Sequence, residues 1–199
     1  MSIINKGESK NSMDKFMLFY LKSSMPIKYC FICILIAVIF APINAQYAKT
    51  ASCQNEAFDK KVNSYLSYSA PVLSVSEAYD KKNDLIFLDS REYNEYEVSH
   101  IPLARYVGYD RFKIENIKDI PKDKKIVVYC SIGYRSEVIA TKLRNAGYKN
   151  VYNLFGSLFE WANAGHELKD KSGLTTHKIH TYNKKWSQWV LNPSVTKIW

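Results

Sequence analysis

A cysteine, Cys130, stands directly after the apolar run Ile126-Val127-Val128-Tyr129, and an arginine, Arg135, follows five residues later. Between them lie Ser131, Ile132, Gly133 and Tyr134, and beyond them the pattern turns helical. A strand that feeds a short loop and then a helix puts the loop at a strand's carboxyl end, where open parallel sheets bind ligands. Gly133 frees the backbone to curl, so successive N–H groups can face one centre, reinforced by the positive end of the helix dipole. Arg135 adds a permanent cation. A thiol in that cradle ionises below its ordinary range and stands as the attacking thiolate near neutral pH. The plain alternative is a buried structural cysteine at a strand end. Gly133 and Arg135 tip the balance towards chemistry, with Cys130 as nucleophile and Ser131, Ile132, Gly133, Tyr134 and Arg135 holding an anionic substrate.

The other candidate groups carry less. Cys30 and Cys33 form a Cys-x-x-Cys, but they sit in a greasy run where cysteine is a small hydrophobe. Cys53, in Thr50-Ala51-Ser52-Cys53, slightly resembles a lipoprotein attachment site, yet Thr50 is polar and the apolar run ends too early. His177-x-x-His180 lacks acidic or cysteine partners at ligand spacing, so two surface histidines are expected rather than half a metal site.

Positioning the Cys130 loop takes a sheet, and the sequence supplies one. Leu85–Leu88, Ile126–Tyr129 and Val151–Leu154 are continuous apolar strands. Helical stretches lie between and after them, at Arg91–Val98, at 135–146 with Val138, Ile139 and Leu143 inward and Gly147 closing it, and around Leu158–Trp161 before Gly165. That alternation predicts an α/β fold with a central parallel sheet covered by helices on both faces. Residues 54–66 read as an amphipathic lead-in helix with Phe58, Val62 and Leu66 on one face, within a linker over 46–67. One domain is expected over 68–168, and the basic, tryptophan-rich tail 169–199 should pack back on it.

The apolar run Tyr29–Ala41 has thirteen residues after Lys28, fewer than the ~20 a spanning helix needs. It suits the core of a signal peptide over 1–45, with Ala45 at the cleavage site and Met25 a possible true start. Export to a periplasmic or secreted location is therefore expected, with a retained membrane anchor as the competing reading. The 199 residues are 47% hydrophobic, 14% aromatic and 24% charged, which excludes collagen-like, low-complexity and wholly disordered chains. Four cysteines are too few for a disulfide-dense scaffold. The net charge is +9, of which five lysines against Glu8 and Asp14 place +3 in residues 1–45. The excess is spread rather than clustered and no reading motif accompanies it, so no nucleic-acid partner is expected.

At these residues the sequence resembles a family, the single-domain rhodaneses, which are sulfurtransferases. Cys130-Ser131-Ile132-Gly133-Tyr134-Arg135 is similar to their Cys-x-x-Gly-x-Arg loop. Asp89-Ser90-Arg91, Glu95-Tyr96, His100-Ile101-Pro102 and Ala104 resemble the family's opening motif, and Val151–Leu154 with Gly156 and Trp161 its closing one. The likeness covers about 70–168. Ser99, Leu103 and Ser157 stand where the family usually has glycine, which bears on turn geometry more than on the nucleophile. From the residues alone, Asp89 is expected to cap a helix starting at Ser90, with Glu92 completing the box. Arg91 and Glu95 should pair at i, i+4, and His100 should be a packed histidine, so that Asp89, Arg91, Glu95 and His100 serve as scaffold near the site.

The resemblance implies double displacement. Cys130 takes the sulfane sulfur of thiosulfate or a persulfide, becomes a persulfide itself, and passes the sulfur to a thiol or cyanide. The implied partners are a small-molecule donor and a thiol acceptor, with membrane contact only if the first segment is retained. No metal or organic cofactor is implied. One alternative is a non-catalytic sulfur carrier or binding module on the same fold. The other is a cysteine-dependent phosphatase or arsenate reductase, whose similar loop is one residue longer.

Overall fold

The computed structural model describes residues 46–199. The apolar run Tyr29–Ala41 and the Cys30/Cys33 pair, with the signal-peptide reading built on them, lie outside the described residues. No helix among the described residues is long and apolar enough to cross a membrane.

Five strands make one fully parallel sheet: β1 (Val72–Leu73), β2 (Ile86–Asp89), β3 (Arg105–Tyr106), β4 (Lys125–Tyr129) and β5 (Asn150–Leu154), in the order β1-β5-β4-β2-β3. β4 lies between β2 and β5, with Val128 opposite both Leu88 and Asn153. Its side chains alternate between two buried clusters. Ile126 and Val128 pack with Ile139, Ala140 and Leu143, whereas Val127 and Tyr129 pack with Phe58, Phe159 and Trp161 on the other side. A sheet buried on both faces explains why these strands read as unbroken apolar runs.

Helix α1 (Glu56–Asn63) is shorter than the 54–66 pattern. Asn55 caps it by accepting the Phe58 N–H at 2.9 Å, and it ends at Ser64. Phe58 and Val62 are buried, but Leu66 lies past its end. Helix α2 (Val75–Asp80) starts with a capping box between Ser74 and Glu77.

Helix α3 (Tyr93–Val98) corrects two expectations. Its cap is Glu92, whose N–H donates to the Glu95 carboxylate at 3.1 Å, not Asp89. Asp89 and Arg91 are occupied with each other: the guanidinium meets the carboxylate at 2.6 Å with both side chains wholly buried, and the Arg91 N–H reaches it at 2.9 Å. The chain therefore stays extended through Glu92, and Arg91 precedes the helix on which an i, i+4 bond to Glu95 would depend.

Helix α4 (Tyr134–Asn145) follows Gly133. It closes at Gly147 (φ +91°) as a Schellman motif, with Tyr148 N–H on Leu143 O (3.2 Å) and Gly147 N–H on Arg144 O (2.9 Å). Its buried stripe is Ser136, Ile139, Ala140 and Leu143. Val138, expected inward, is only half-buried, and Glu137 is buried in its stead. Glu137 accepts N–H bonds from Ser67 (2.9 Å) and Ser69 (2.7 Å), which clamps the lead-in segment to α4. Helix α5 (Ser157–Asn163) is buried over its first six residues.

Beyond it, β6 (Leu168–Lys169) pairs with β7 (Thr175–Thr176), and β8 (Lys178–His180) pairs in parallel with β9 (Thr196–Ile198). Ile179 and Val190 are fully covered, and Trp189 stacks on Phe58 with centroids 5.8 Å apart. His177 is exposed, whereas His180 is half-buried and accepts the Tyr182 N–H.

The three residues at expected glycine positions differ. Ser99 is extended (φ −168°) and needs no glycine. Leu103 sits at φ +61° with its side chain fully exposed. The left-handed region costs a residue with a Cβ roughly 1–2 kcal/mol, against ~0.5–1 kcal/mol of extra chain entropy lost by glycine. Leu103→Gly should therefore raise stability by about 0.5–1 kcal/mol, read as a higher urea midpoint; a lower midpoint would mean the leucine makes a stabilising contact.

Candidate active site

Cys130 is the first residue after β4, and the loop to Gly133 folds under α4. The loop is strapped from below by α5. The Cys130 N–H donates to Ser157 Oγ at 3.1 Å, and the carbonyls of Cys130 and Ser131 accept the N–H groups of Leu158 and Phe159, each at 3.1 Å. Ser157 adopts φ +51° and its hydroxyl in turn donates to Leu154 O at 3.0 Å. A glycine would relax the backbone there but would lose this support for the nucleophile's amide.

Gly133 has φ +125°, outside the range of ordinary side-chain-bearing residues. That conformation turns its N–H onto Cys130 Sγ at 3.1 Å. The Ser136 hydroxyl lies 3.5 Å from the sulfur, but it has one proton and its shortest bond is to Asn153 Oδ1 at 2.7 Å. The Gly133 amide is thus the firmer sulfur ligand. Asn153 fixes the turn from β5 by donating to Gly133 O at 3.0 Å.

Arg135 does not stand free. It forks onto Glu95 at 2.7 and 2.9 Å and also donates to Ser131 Oγ at 3.1 Å. Bidentate pairing with a buried carboxylate is the strongest geometry open to an arginine. Burial pushes Glu95 up, but the Arg135 fork, Arg91 and the Glu92 amide outweigh it and hold the carboxyl below its usual range. The same competition governs the thiol. Burial alone would raise Cys130, yet the Arg135 charge and the bonds from Ser136 and Gly133 pull it below the ordinary thiol value. These surroundings favour the ionised form of the Cys130 thiol.

The structure brings Cys130, Ser131, Ile132, Tyr134 and Arg135 to one cavity, with Gly133 shaping the loop beneath it. Glu95 belongs to this group as well, being the partner of Arg135. Asp89 and Arg91 form their own buried pair, and Arg91 continues to Ser99 O at 2.6 Å. His100 is stacked on Tyr96 (3.9 Å), its Nδ1 is 3.0 Å from Tyr96 O, and burial lowers its pKa. It has the environment of a packed, neutral histidine. Sequence reasoning gave Ser136, Asn153 and Ser157 no role at the site, although Asn153 and Ser157 stand in or beside the closing motif. It also missed the rings of Tyr65, Tyr109, Tyr182 and Trp186 around the cavity. Among the described residues no cluster of three metal-ligating side chains occurs.

The family model described as "Rhodanese-like domain" matches residues 74–164, which include β2, β4, the Cys130 loop, α4 and β5. The chain carries a rhodanese-like domain. Curated relatives include the tRNA uridine(34) hydroxylase of Erwinia tasmaniensis, 36% identical over 89 residues, which are 42% of this chain and 25% of that protein. The Photorhabdus laumondii hydroxylase is 35% identical over 120 residues, 57% of this chain and 32% of that protein. The chain thus spans only about a quarter to a third of these relatives' lengths. Their name gives tRNA as what those proteins act on, in tension with the expectation of no nucleic-acid partner. Among solved structures, a Helicobacter pylori protein is 30% identical, covering 51% of this chain and 91% of that one with a TM-score of 0.43. A rhodanese-related protein from Thermoplasma volcanium is 22% identical, covering 50% and 97% with a TM-score of 0.43. In the rhodanese-like domain described here, the departure at Leu103 falls in a turn, whereas Ser157 opens helix α5 and holds the Cys130 amide.

Proposed function

We propose that this chain is a sulfurtransferase that works through a persulfide on Cys130. The observation that carries the reading is the Gly133 N–H held on the Cys130 sulfur beside the Arg135–Glu95 pair, a setting that favours the thiolate. The thiolate attacks the outer sulfur of a donor R–S–S⁻. The donor's S–S bond breaks, its electron pair leaves with R–S⁻, and Cys130 keeps the sulfur as a persulfide anion. A thiol or cyanide then takes that sulfur and restores the thiolate. The amides of Ser131, Ile132 and Tyr134, which have no acceptor among the described residues, are available to the extra sulfur and to the leaving anion. The test is an intact mass of the protein before and after a sulfane sulfur donor.

The donor side follows from charge. Arg135 is the loop's sole side-chain cation, and Glu95 already neutralises it. A dianion such as thiosulfate therefore meets little net attraction, and it should turn over with a high KM. Ile132→Lys, which places a cation at the loop's own wall, should lower that KM about tenfold, equivalent to about 1.4 kcal/mol. An unchanged KM would put the control of donor choice outside the loop.

A second reading comes from the relatives' name, in which the domain serves tRNA uridine hydroxylation. The Glu92 and Asp110 carboxylates in the cavity wall weigh against a nucleic-acid backbone there. Salt-dependent binding of tRNA by the full chain, weakened by charge changes at this mouth, would favour it.

A further inference from the structure

Segments distant in sequence meet above Cys130 and line a half-open cavity of about 480 Å³. Its walls are largely aromatic. Tyr109 and Tyr134 come from the rhodanese-like domain, Tyr65 from the lead-in segment, and Tyr182 and Trp186 from the tail. The last three lie outside residues 74–164, so this roof is an addition to the domain. It is assembled by specific contacts. Tyr65 and Trp186 meet edge to face at 5.4 Å, with Lys61 Nζ 4.9 and 5.8 Å from their ring centres. The Arg135 guanidinium lies 5.6 Å from the centre of the Tyr182 ring.

A small inorganic anion would use almost none of this. The volume falls in the range of ~300–1,000 Å³ that holds organic ligands of moderate size. Glu92 and Asp110 add negative charge to the wall, and Arg135 is neutralised by Glu95. What the cavity offers is flat apolar surface close to a nucleophilic sulfur.

Resting on the sulfurtransferase reading, we infer that Tyr65, Tyr182 and Trp186 select the donor, and that the donor carries its sulfane sulfur on a flat, apolar organic group. An aryl thiosulfonate reproduces that chemistry. The Cys130 thiolate bonds to its terminal sulfur while the bond from that sulfur to the sulfonyl sulfur breaks. The electron pair leaves with the aryl sulfinate, and Cys130 holds one added sulfur as the persulfide anion. Two negative charges enter and two remain, with no external oxidant or reductant.

Benzenethiosulfonate and methanethiosulfonate present the same reacting sulfur and the same single charge, and differ by a ring against a methyl group. Sulfur transfer to cyanide by the full chain is measured with each, and each rate is divided by that donor's rate with free cysteine. The corrected kcat/KM should favour the ring by about tenfold or more, mainly through KM. Tyr182 is 57% exposed, so Tyr182→Ala should fold normally, and in it and in Trp186→Leu the ratio should fall towards one. A corrected ratio near one in the native chain overturns the inference, as does a ratio unchanged in both variants even if overall rates drop. Failure of both donors to place sulfur on Cys130 by intact mass overturns the sulfurtransferase reading instead.

Discussion

The Cys130→Ser protein should gain no sulfur from any donor, whereas the native chain gains one sulfur atom that peptide mapping places on Cys130. A serine hydroxyl in the same cradle stays protonated, because the Gly133 amide and Arg135 lower a thiol's pKa from near 8.5 but cannot bring an alcohol into the accessible range. The fold should survive, since a hydroxyl is smaller than a thiol and adds no clash, and the amide of residue 130 keeps its bond to Ser157. A cooperative thermal transition within a few degrees of the native one would show that. Sulfur uptake by the serine protein at the native rate would remove Cys130 from the mechanism. Uptake at Cys53 is not expected. That thiol is buried near Glu160 and Asp59, and burial and both carboxylates push its pKa up.

The second large effect concerns Arg135 and Glu95. Arg135→Ala deletes more than a cation. It leaves the Glu95 carboxylate, 2% exposed, without its fork, and it removes the cation that lowers the thiol's pKa. Breaking a buried pair from one side costs about 3–5 kcal/mol, and the Cys130 pKa should rise. Arg135→Ala/Glu95→Gln removes both charges, keeps an acceptor for the Glu92 amide, and should recover much of the lost stability. Glu95→Gln alone leaves Arg135 uncompensated beside the sulfur, so the pKa of Cys130 should fall further and anionic donors should bind better. The sign follows from the depressed pKa. The thiolate's contribution to stability is complete above the unfolded thiol's value and is lost as pH falls through the folded value, and the rate of persulfide formation falls on the same limb. The inflection of that limb should therefore move up in Arg135→Ala and down in Glu95→Gln. An inflection that ignores both variants would show that the loop amides alone set the thiol's ionisation.

The strand-loop-helix around Cys130 was legible in the sequence because each of its signals is local: an apolar run, a glycine, an arginine at the start of a helix, and Gly147 at the far end. Both faces of the sheet followed from the unbroken apolar strands. Glu95 was misread for a reason that can be stated physically. Its i−4 neighbour Arg91 offered a pairing on paper, but that pairing presumes a helix already formed at residue 91, and the buried Asp89–Arg91 fork keeps the chain extended there. The true partner is 40 residues away, beyond the reach of any spacing rule. The cavity roof was hidden for the same reason. The density of tryptophan in the tail indicates that it packs somewhere, but not that Trp186 meets Tyr65 above the nucleophile.

That meeting joins two ends of the described chain, and its consequence lies in time. As a chain emerges from synthesis, β4, the Cys130 loop, α4 and β5 are complete once residues near 165 are out, while Trp186 is still to come. The Cys130 loop can thus be assembled before the aromatic roof is in place. On the donor-selection proposal, preference for a flat donor arrives only with Tyr182 and Trp186, and clipping residues 169–199 would return the protein to the earlier stage, in which loop charge alone sorts donors.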